Sequence, residues 1–398
     1  MSIETKMVEG IRVAAVNVGV KQTERPDLCL FEAPPSGTAA AVFTQNKFAA
    51  APVQIAKKHL ASGLTPRYLL VNSGNANCGT GKQGSDDAET LCRKVADLAK
   101  CEPEQVLPFS TGVIGEMLPL EKMLGGLGPL YQALSPSAWG EAALAIMTTD
   151  TRPKTASTTI EIDGQTVTIT GITKGAGMIK PNMATMLGFI ATDATILRSD
   201  LQAALQQSVA QSFNRITIDG DTSTNDAVVL FATGNSAAID QTNVNAWGAF
   251  QAGLDEVCEA LAKAIVADGE GATKFVEVAV KSASETMSST IAFTVAESPL
   301  VKTALFASDP NWGRILAAIG RAPVDDFNIN DVAIFLGDYQ IVKNGSIVDK
   351  YDEAQAATVM QHKEIKIAIE IGDGERQSSV WTTDLSYDYV KINAEYRT

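Results

Sequence analysis

Residues 158–197 of the chain are TTIEIDGQTVTITGITKGAGMIKPNMATMLGFIATDATIL. Alternation of apolar and polar residues over 158–170 predicts a β-hairpin that turns at Asp163-Gly164. A glycine-rich segment, 171–185, follows, and then a new apolar run, 186–197, which is typical of a buried strand. Flexible glycines directly before a buried strand are unusual in an ordinary connection. They draw attention to Ala184 and Thr185, a small residue followed by a hydroxyl.

Strand and helix patterns alternate along the rest of the chain. Helical spacing of apolar residues predicts helices over 86–99, over 200–212 with Ser199 as N-cap, and over about 244–267. Strands are predicted at 67–74, 274–282 and 364–372, with another hairpin at Asn344-Gly345. There are too many strands for a helical bundle and too many helices for a β-sandwich. The sequence therefore predicts α and β elements packed in layers.

Composition excludes several kinds of partner. The 398 residues carry a formal net charge of −14, and such an acidic surface repels nucleic acid and anionic membranes. No signal peptide or membrane-spanning run is expected. The chain has five cysteines, and no two of them form a C-x-x-C pair: Cys29, Cys78, Cys92, Cys101 and Cys258. This number and spacing predict neither a disulfide framework nor a zinc site. A reducing cytoplasm is therefore the expected location.

Histidine and phosphate-loop chemistry are poorly supported. The two histidines, His59 and His362, lie in charged neighbourhoods, and we predict surface positions for both. A Ser-His-Asp or Cys-His mechanism would depend on one of them, and a multi-histidine metal site is excluded by number. The glycine-rich stretches KGAGMIKPN (174–182) and GTGKQGS (79–85) both depart from the dinucleotide and P-loop patterns.

A hydroxyl nucleophile without histidine remains. A threonine at a chain's N-terminus can use its own α-amine as the base, and Thr185 would reach that position if the Ala184–Thr185 bond were cut. The acyl intermediate would also need an oxyanion hole, for which Thr111 and Gly112 in the turn of residues 109–116 are candidates. From the residues alone, a plain buried strand threonine stays the favoured alternative.

Several stretches together match one family. They are spread over nearly the whole chain and are specific only in combination: NSGNAN (72–77), STGVIGE (110–116), MTTDTRPK (147–154), KGAGMIKPNMATML (174–187), FNRITIDGDTSTND (213–226), DGEGATKF (268–275), SDPNWGRI (308–315) and INAEYRT (392–398). With these motifs the chain resembles the ornithine acetyltransferases of arginine biosynthesis, which are often bifunctional as glutamate N-acetyltransferases. The resemblance implies an α/β (α+β) fold, a layered α/β/β/α sandwich reminiscent of N-terminal-nucleophile hydrolases but differently connected.

The resemblance also implies self-cleavage and a set of site residues. The cut would fall between Ala184 and Thr185, giving an alpha chain, 1–184, and a beta chain, 185–398, that fold together. Thr185 would be the nucleophile, with Thr111 and Gly112 as the oxyanion-hole pair. The positions that match substrate-binding residues of the family are Thr148, Lys174, Thr185, Glu270, Asn393 and Thr398. We interpret the run TSTND (222–226) as turn hydrogen bonding and leave it out of this set.

The implied reaction is a ping-pong acetyl transfer from N-acetylornithine to glutamate, releasing ornithine and N-acetylglutamate. No metal or organic cofactor is implied, acetyl-CoA is left open as a second acetyl donor, and two alpha and two beta chains are expected to form a heterotetramer. Two alternatives remain from the sequence. One is a self-cleaving amidohydrolase or aminopeptidase, which passes the acyl group to water, and the other is a binding protein whose chain stays uncut.

Overall fold

The computed structural model describes residues 5–21, 24–180, 186–325 and 327–396. They form two compact units. Unit one comprises residues 1–214 and 221–265, and unit two comprises residues 215–220 and 266–398. The division does not coincide with the predicted cut, because residues on both sides of positions 184 and 185 belong to unit one.

Unit one contains two sheets and the helices that cover them. Its strands are β1 (Arg12–Val16), β2 (Leu28–Glu32), β3 (Thr38–Phe43), β4 (Tyr68–Asn75), β5 (Val106–Val113), β6 (Lys154–Ile162), β7 (Gln165–Lys174), β8 (Leu187–Thr192), β9 (Thr195–Ile196), β10 (Ala227–Ala232) and β11 (Ala238–Ile239). Its helices are α1 (Ala51–Leu60), α2 (Gly81–Ala99), α3 (Leu120–Gln132), α4 (Trp139–Ala145), α5 (Arg198–Gln211) and α6 (Val244–Val266).

The order of strands places β8 inside the second sheet. The first sheet has the order β1-β2-β4-β5 and the second has the order β3-β10-β8-β7-β6. Strand β8 pairs in parallel with β10 and antiparallel with β7, where Lys174 lies opposite Leu187. All six residues of β8 are buried, which is why this part of the sequence is continuously apolar rather than alternating.

The two sheets of unit one pack face to face around an aromatic centre. The ring of Phe189 in β8 lies 5.2 Å from the ring of Phe31 in β2 and 5.2 Å from that of Phe109 in β5. All three side chains are buried. Burial of each such ring stabilises the fold by roughly 1.5–3 kcal/mol, and the aromatic cluster joins the two sheets into a sandwich.

Helices cover both outer faces of this sandwich. Leu91 of α2 and Leu127 of α3 belong to one buried cluster with Leu30 and Leu70 of the first sheet. On the second sheet, α6 lies so close to β7 that a Cβ atom at Gly171 would meet Leu261 at 2.9 Å. Helix α5 packs against β3 and β10. The order of layers is helix, sheet, sheet, helix, and the predicted α/β/β/α sandwich is confirmed.

Unit two is built on a single sheet. Its strands are β12 (Phe275–Ser282), β13 (Val332–Leu336), β14 (Tyr339–Lys343), β15 (Ser346–Ile347), β16 (Glu364–Ile371) and β17 (Arg376–Thr383), in the order β15-β14-β13-β16-β12-β17. Its helices are α7 (Glu285–Ala296), α8 (Pro299–Phe306), α9 (Trp312–Gly320), α10 (Glu353–Met360) and α11 (Tyr387–Ala394). Alternate residues of β12 and β16 pack against α7, α8 and α9 in one apolar core.

Most of the elements predicted from the sequence are present. The hairpin of β6 and β7 turns between Ile162 and Gln165, and β14 and β15 flank the predicted turn at 344–345. Helix α2 begins at Gly81, five residues before the predicted start. Helix α6 matches its prediction closely. No helix in the described part of the chain is both long and apolar enough to cross a membrane.

Two local predictions are wrong. Helix α5 begins at Arg198 with Leu197 as its N-cap, so Ser199 lies inside the first turn and caps nothing. His59 is buried rather than on the surface, and its Nδ1–H donates to the carbonyl oxygen of Val106 at 2.8 Å. The charged neighbours of His59 suggested exposure, but helical spacing places it on the face of α1 that covers β5. His362 is exposed as predicted.

Candidate active site

Most of the predicted site residues that the structure describes lie at the ends of strands or in loops, and one lies in a helix. In unit one, Thr111 and Gly112 lie near the end of β5, Lys174 ends β7, and Thr148 lies between α4 and β6. In unit two, Glu270 precedes β12 and Asn393 lies in α11. Three further candidates fall outside the described residues: Ala184, Thr185 and Thr398.

A close approach between β4 and β5 explains Gly112. Its φ is +134°, a value that favours glycine. A Cβ atom here would meet the carbonyl carbon of Gly74 at 2.3 Å, so no side chain fits. The ladder between β4 and β5 shifts register at Gly74 and Asn75. The backbone at Gly112 is therefore held in an irregular and fixed conformation at the end of the sheet.

Lys174 and Thr111 meet across the two sheets. Both side chains are buried, and the Lys174 ammonium donates to the hydroxyl oxygen of Thr111 at 3.2 Å. A threonine hydroxyl has acceptor positions as well as one donor. The bond from Lys174 uses an acceptor position, so it does not engage the Thr111 O–H. The geometry thus favours a Thr111 hydroxyl that is polarised by a cation and can donate.

Met186, the residue directly after Thr185, is fixed at both backbone groups. Its N–H donates to the Asp226 carboxylate at 2.8 Å, and its carbonyl oxygen accepts from the N–H of Ala227 at 3.2 Å. Because Leu187 then begins β8, the start of this buried strand is held against the start of β10. Two hydrogen bonds thus hold the backbone of Met186 at the point where β8 and β10 begin.

The run 222–226, left out of the sequence-based set, lies beside these residues. The Asn225 side chain donates to the carbonyl oxygens of Ala76 and Ser110, at 2.7 and 2.9 Å, and so connects this turn to the strand that carries Thr111. A pocket of about 10 Å³, roughly the space of one water molecule, is lined by Thr111, Lys174, Met186, Leu187, Ser223, Asn225 and Asp226. The sequence showed these polar residues but not that the chain returns here.

Asp150 is a buried charge that the sequence analysis did not single out. Its carboxylate accepts from the Lys154 ammonium at 2.6 Å, from the Gly175 N–H at 2.7 Å and from the Thr148 N–H at 2.9 Å. Burial acts to raise the pKa of Asp150, but the charges of Lys174 and Lys154 and the bond from Gly175 outweigh it and hold that pKa below its usual value. The carboxylate therefore stays ionised and offsets buried ammonium charge.

In unit two, Glu270 and Asn393 are brought together. The Asn393 side-chain amide donates to the Glu270 carboxylate at 2.8 Å and to the Tyr389 carbonyl oxygen at 3.0 Å. Ser386 caps helix α11 by accepting from the Tyr389 N–H, and its hydroxyl donates to the Gly271 carbonyl oxygen at 2.6 Å. The loop that carries Glu270 is therefore docked directly on the helix that carries Asn393.

This docking depends on the absence of a side chain at Gly271. Its φ is +65°, and a Cβ atom would lie 2.4 Å from the Tyr389 backbone nitrogen. We expect Gly271→Ala to lower the free energy of unfolding by about 2 kcal/mol or more, as strained backbone positions do. Urea unfolding measures this effect. Gly320→Ala is the control, since open space surrounds that helical glycine. Equal stability of the two variants would contradict the expected close contact.

Comparison with known proteins places these residues in a family. The model of the ArgJ family matches residues 12–398. The chain belongs to the ArgJ family. Two curated relatives are named arginine biosynthesis bifunctional protein ArgJ. The protein from Pseudomonas fluorescens is 51% identical over 394 residues, covering 98% of this chain and 97% of the relative. The protein from Methylococcus capsulatus is 52% identical over 394 residues, covering 98% and 96%.

Among solved structures, the arginine biosynthesis bifunctional protein argJ of Bacillus halodurans is 38% identical, with a TM-score of 0.49. The alignment covers 51% of this chain and 96% of that one. Membership of the ArgJ family confirms the resemblance to the ornithine acetyltransferases that the motifs indicated. It also confirms that the chain is an enzyme, a glutamate N-acetyltransferase of arginine biosynthesis.

Proposed function

We propose that this enzyme transfers the acetyl group of N2-acetyl-L-ornithine to L-glutamate through an acetyl ester on Thr185. Membership of the ArgJ family supports the overall reaction. One observation supports Thr185 as the nucleophile. Met186, the neighbour of Thr185, is fixed at the edge of the pocket that Thr111 and Lys174 line. A beta chain that begins one residue earlier, at Thr185, would enter the second sheet through Met186, which lines this pocket.

Maturation by a cut between Ala184 and Thr185 is part of this proposal. The cut gives an alpha chain, 1–184, and a beta chain, 185–398, and two of each form the proposed heterotetramer in the cytoplasm. The new α-amine of Thr185 would have a pKa near 7.7–8.0 in a model peptide, so it is partly neutral near neutral pH and can accept a proton. The base is thus supplied without histidine, consistent with the burial of His59.

The acetyl group passes through two tetrahedral intermediates. The Thr185 hydroxyl oxygen bonds to the acetyl carbonyl carbon while its proton passes to the Thr185 amine. The tetrahedral oxyanion accepts hydrogen bonds from the Thr111 hydroxyl and the Gly112 N–H. The bond from carbon to the ornithine α-nitrogen then breaks, and that nitrogen takes the proton. The glutamate amine attacks the acetyl ester in the same manner, and Thr185 regains its proton as N-acetylglutamate leaves.

The remaining candidates are assigned to the substrates. Lys174 would hold the substrate carboxylate as a point charge. Thr148 would bind the same substrate, since the Asp150 carboxylate connects the Thr148 N–H with the N–H of Gly175, the residue after Lys174. Glu270 would meet the side-chain ammonium of ornithine, while Asn393, which donates to Glu270, and Thr398 would complete the binding set. The name bifunctional that the curated relatives carry supports acetyl-CoA as a second acetyl donor.

Trapping tests the nucleophile. The mature enzyme is mixed with N-acetylornithine labelled in the acetyl group, quenched without glutamate and digested. Label on the peptide that begins with Thr185 is expected, and label on any other residue would refute the mechanism. Release of labelled acetate in place of N-acetylglutamate, once glutamate is present, would favour a hydrolase instead. Assay of glutamate acetylation by acetyl-CoA tests the second donor separately.

Glu270→Gln tests the assignment of the ornithine ammonium. The variant keeps the size of the side chain but removes its charge. We expect the KM for N-acetylornithine to rise about tenfold to a hundredfold, the range for losing a hydrogen-bonded charge pair, while the KM for glutamate rises much less because glutamate has no such ammonium. Steady-state kinetics with each substrate varied in turn measures both values. Equal rises in the two KM values would contradict the assignment.

A further inference from the structure

One peptide group of the candidate site is held at both ends by charged side chains. Its carbonyl oxygen, on Met147, accepts from the Lys21 ammonium at 2.5 Å. Its N–H, on Thr148, donates to the Asp150 carboxylate at 2.9 Å. Hydrogen bonds to charged groups are the stronger ones. The orientation of the peptide that precedes the Thr148 side chain is therefore fixed by two opposite charges from separate parts of the chain.

Lys21 is directed to this position by the surrounding backbone. The Asp27 carboxylate accepts from the N–H groups of Val18, Val20 and Lys21, at 2.8, 2.6 and 3.1 Å, and this holds the loop that carries the lysine. A Cβ atom at Gly74 would meet the Lys21 side chain at 2.8 Å. The lysine stem therefore crosses the glycine that pairs with Gly112.

The same network reaches Lys174. The other oxygen of Asp150 accepts from the N–H of Gly175, the residue after Lys174, and from the Lys154 ammonium. A single buried carboxylate thus connects the Thr148 peptide with the end of β7. Any rotation of the 147–148 peptide would break its bond to Lys21 and its bond to Asp150 together.

We propose that Lys21 is a positioning residue for substrate binding. Together with Asp150 it fixes the Met147–Thr148 peptide and so keeps the Thr148 side chain at a constant position relative to Lys174. This inference rests on the proposed role of Thr148 and Lys174 in binding the substrate. It assigns a function to a lysine that the sequence motifs did not mark. Lys21 itself need not touch the substrate.

The charge of Lys21 gives the network a pH dependence. Burial lowers the pKa of Lys21 to about 8, with smaller lowering contributions from the charges of Arg25 and Lys174. The carboxylates of Asp27 and Asp150 act in the opposite direction and raise this pKa. The ammonium form predominates below pH 8 and is lost as the pH rises through that value. Substrate binding is therefore expected to weaken above about pH 8. Arginine at this position would remain charged there.

The test compares Lys21→Met and Lys21→Arg with the mature wild-type enzyme. At pH 7 we expect Lys21→Met to raise the KM for N-acetylornithine about tenfold to a hundredfold with kcat within about threefold. Lys21→Arg should restore most of the affinity and retain it above pH 8. Arg321→Met is the control, since that exposed arginine also donates to a backbone carbonyl oxygen, that of Thr294 in α7, a helix that carries none of the candidate site residues.

Two outcomes overturn the inference. One is an unchanged KM in Lys21→Met. The other is a loss in thermal stability that accounts for the whole effect and is not rescued by arginine. Acetyl trapping on the wild-type enzyme tests the proposed nucleophile independently of Lys21. If the wild type carries label on Thr185 but Lys21→Met has an unchanged KM, only the role of Lys21 is rejected. If the wild type carries no label on Thr185, the proposed nucleophile is rejected. The KM values of the variants then still decide whether Lys21 affects substrate binding.

Discussion

Replacement of Thr185 by alanine is expected to leave the chain uncut and to abolish acetyl transfer. The alanine has no hydroxyl to attack the preceding carbonyl, and no N-terminal amine is then released to act as the base. A denaturing gel should show one band near 42 kDa, in place of two bands of roughly 19 and 23 kDa for chains of 184 and 214 residues. Activity should fall by about 10⁴ or more, as it does when a nucleophile is removed.

Thr286→Ala is the control for this experiment. Thr286 is exposed in helix α7, so the variant should be cut and active like the wild type. N-terminal analysis of the larger fragment from active protein should begin Thr-Met-Leu-Gly. A Thr185→Ala variant that is still cut, or that still transfers acetyl groups at an appreciable rate, would refute both the cleavage and the nucleophile.

The proposed position of the cut would keep the two fragments together. In the second sheet, β3, β6 and β7 belong to the proposed alpha chain, whereas β8 and β10 belong to the beta chain. The order β3-β10-β8-β7-β6 therefore places strands of the beta chain between strands of the alpha chain. Backbone ladders join β3 to β10 and β7 to β8, and Phe31 packs on Phe189 across the sandwich. The two fragments should separate only when this sheet unfolds.

The sequence predicted the layered fold because its strands and helices have clear periodicity. The alternation around Asp163-Gly164 and the apolar run 186–197 each specify a local element with little competition. His59 was misplaced because its immediate neighbours are charged, and only the packing of α1 on β5 shows that it is buried. Local pattern determines local structure well, but the exposure of one polar residue depends on which element covers it.

The candidate site was predictable only where a motif marked it. Thr111 and Lys174 were assigned by resemblance, and the structure brings their side chains within 3.2 Å. Asp150 and Asp226 lie within two of the matching stretches but were assigned no role, and Lys21 lies outside all of them. Each binds a backbone group distant in the sequence: Asp150 the Gly175 N–H, Asp226 the Met186 N–H and Lys21 the Met147 carbonyl oxygen. A single sequence does not show which of many charged residues becomes buried against a distant peptide.

Thr111→Val is expected to lower kcat by about 10² to 10³, the cost of losing one oxyanion donor, with a much smaller change in KM. Valine keeps the shape of the buried side chain but lacks the hydroxyl that the Lys174 ammonium contacts. Thr111→Ser keeps the hydroxyl and should retain kcat within about tenfold. Single-turnover acetylation of Thr185, measured on the cut fraction of each preparation, separates the chemical step from slow maturation.

In the proposed cut, attack of Thr185 on the Ala184 carbonyl carbon would form a second tetrahedral oxyanion, so Thr111→Val should also slow the cut. The valine and serine variants therefore distinguish an oxyanion donor from a packing residue. If Thr111 only supported packing, valine would be tolerated better than serine, because valine fills the volume and serine leaves the space of a methyl group. If Thr111 donates to the oxyanion, serine must be the better replacement in both reactions. A valine variant as active as the serine variant would remove Thr111 from the oxyanion hole and leave Gly112 without its partner.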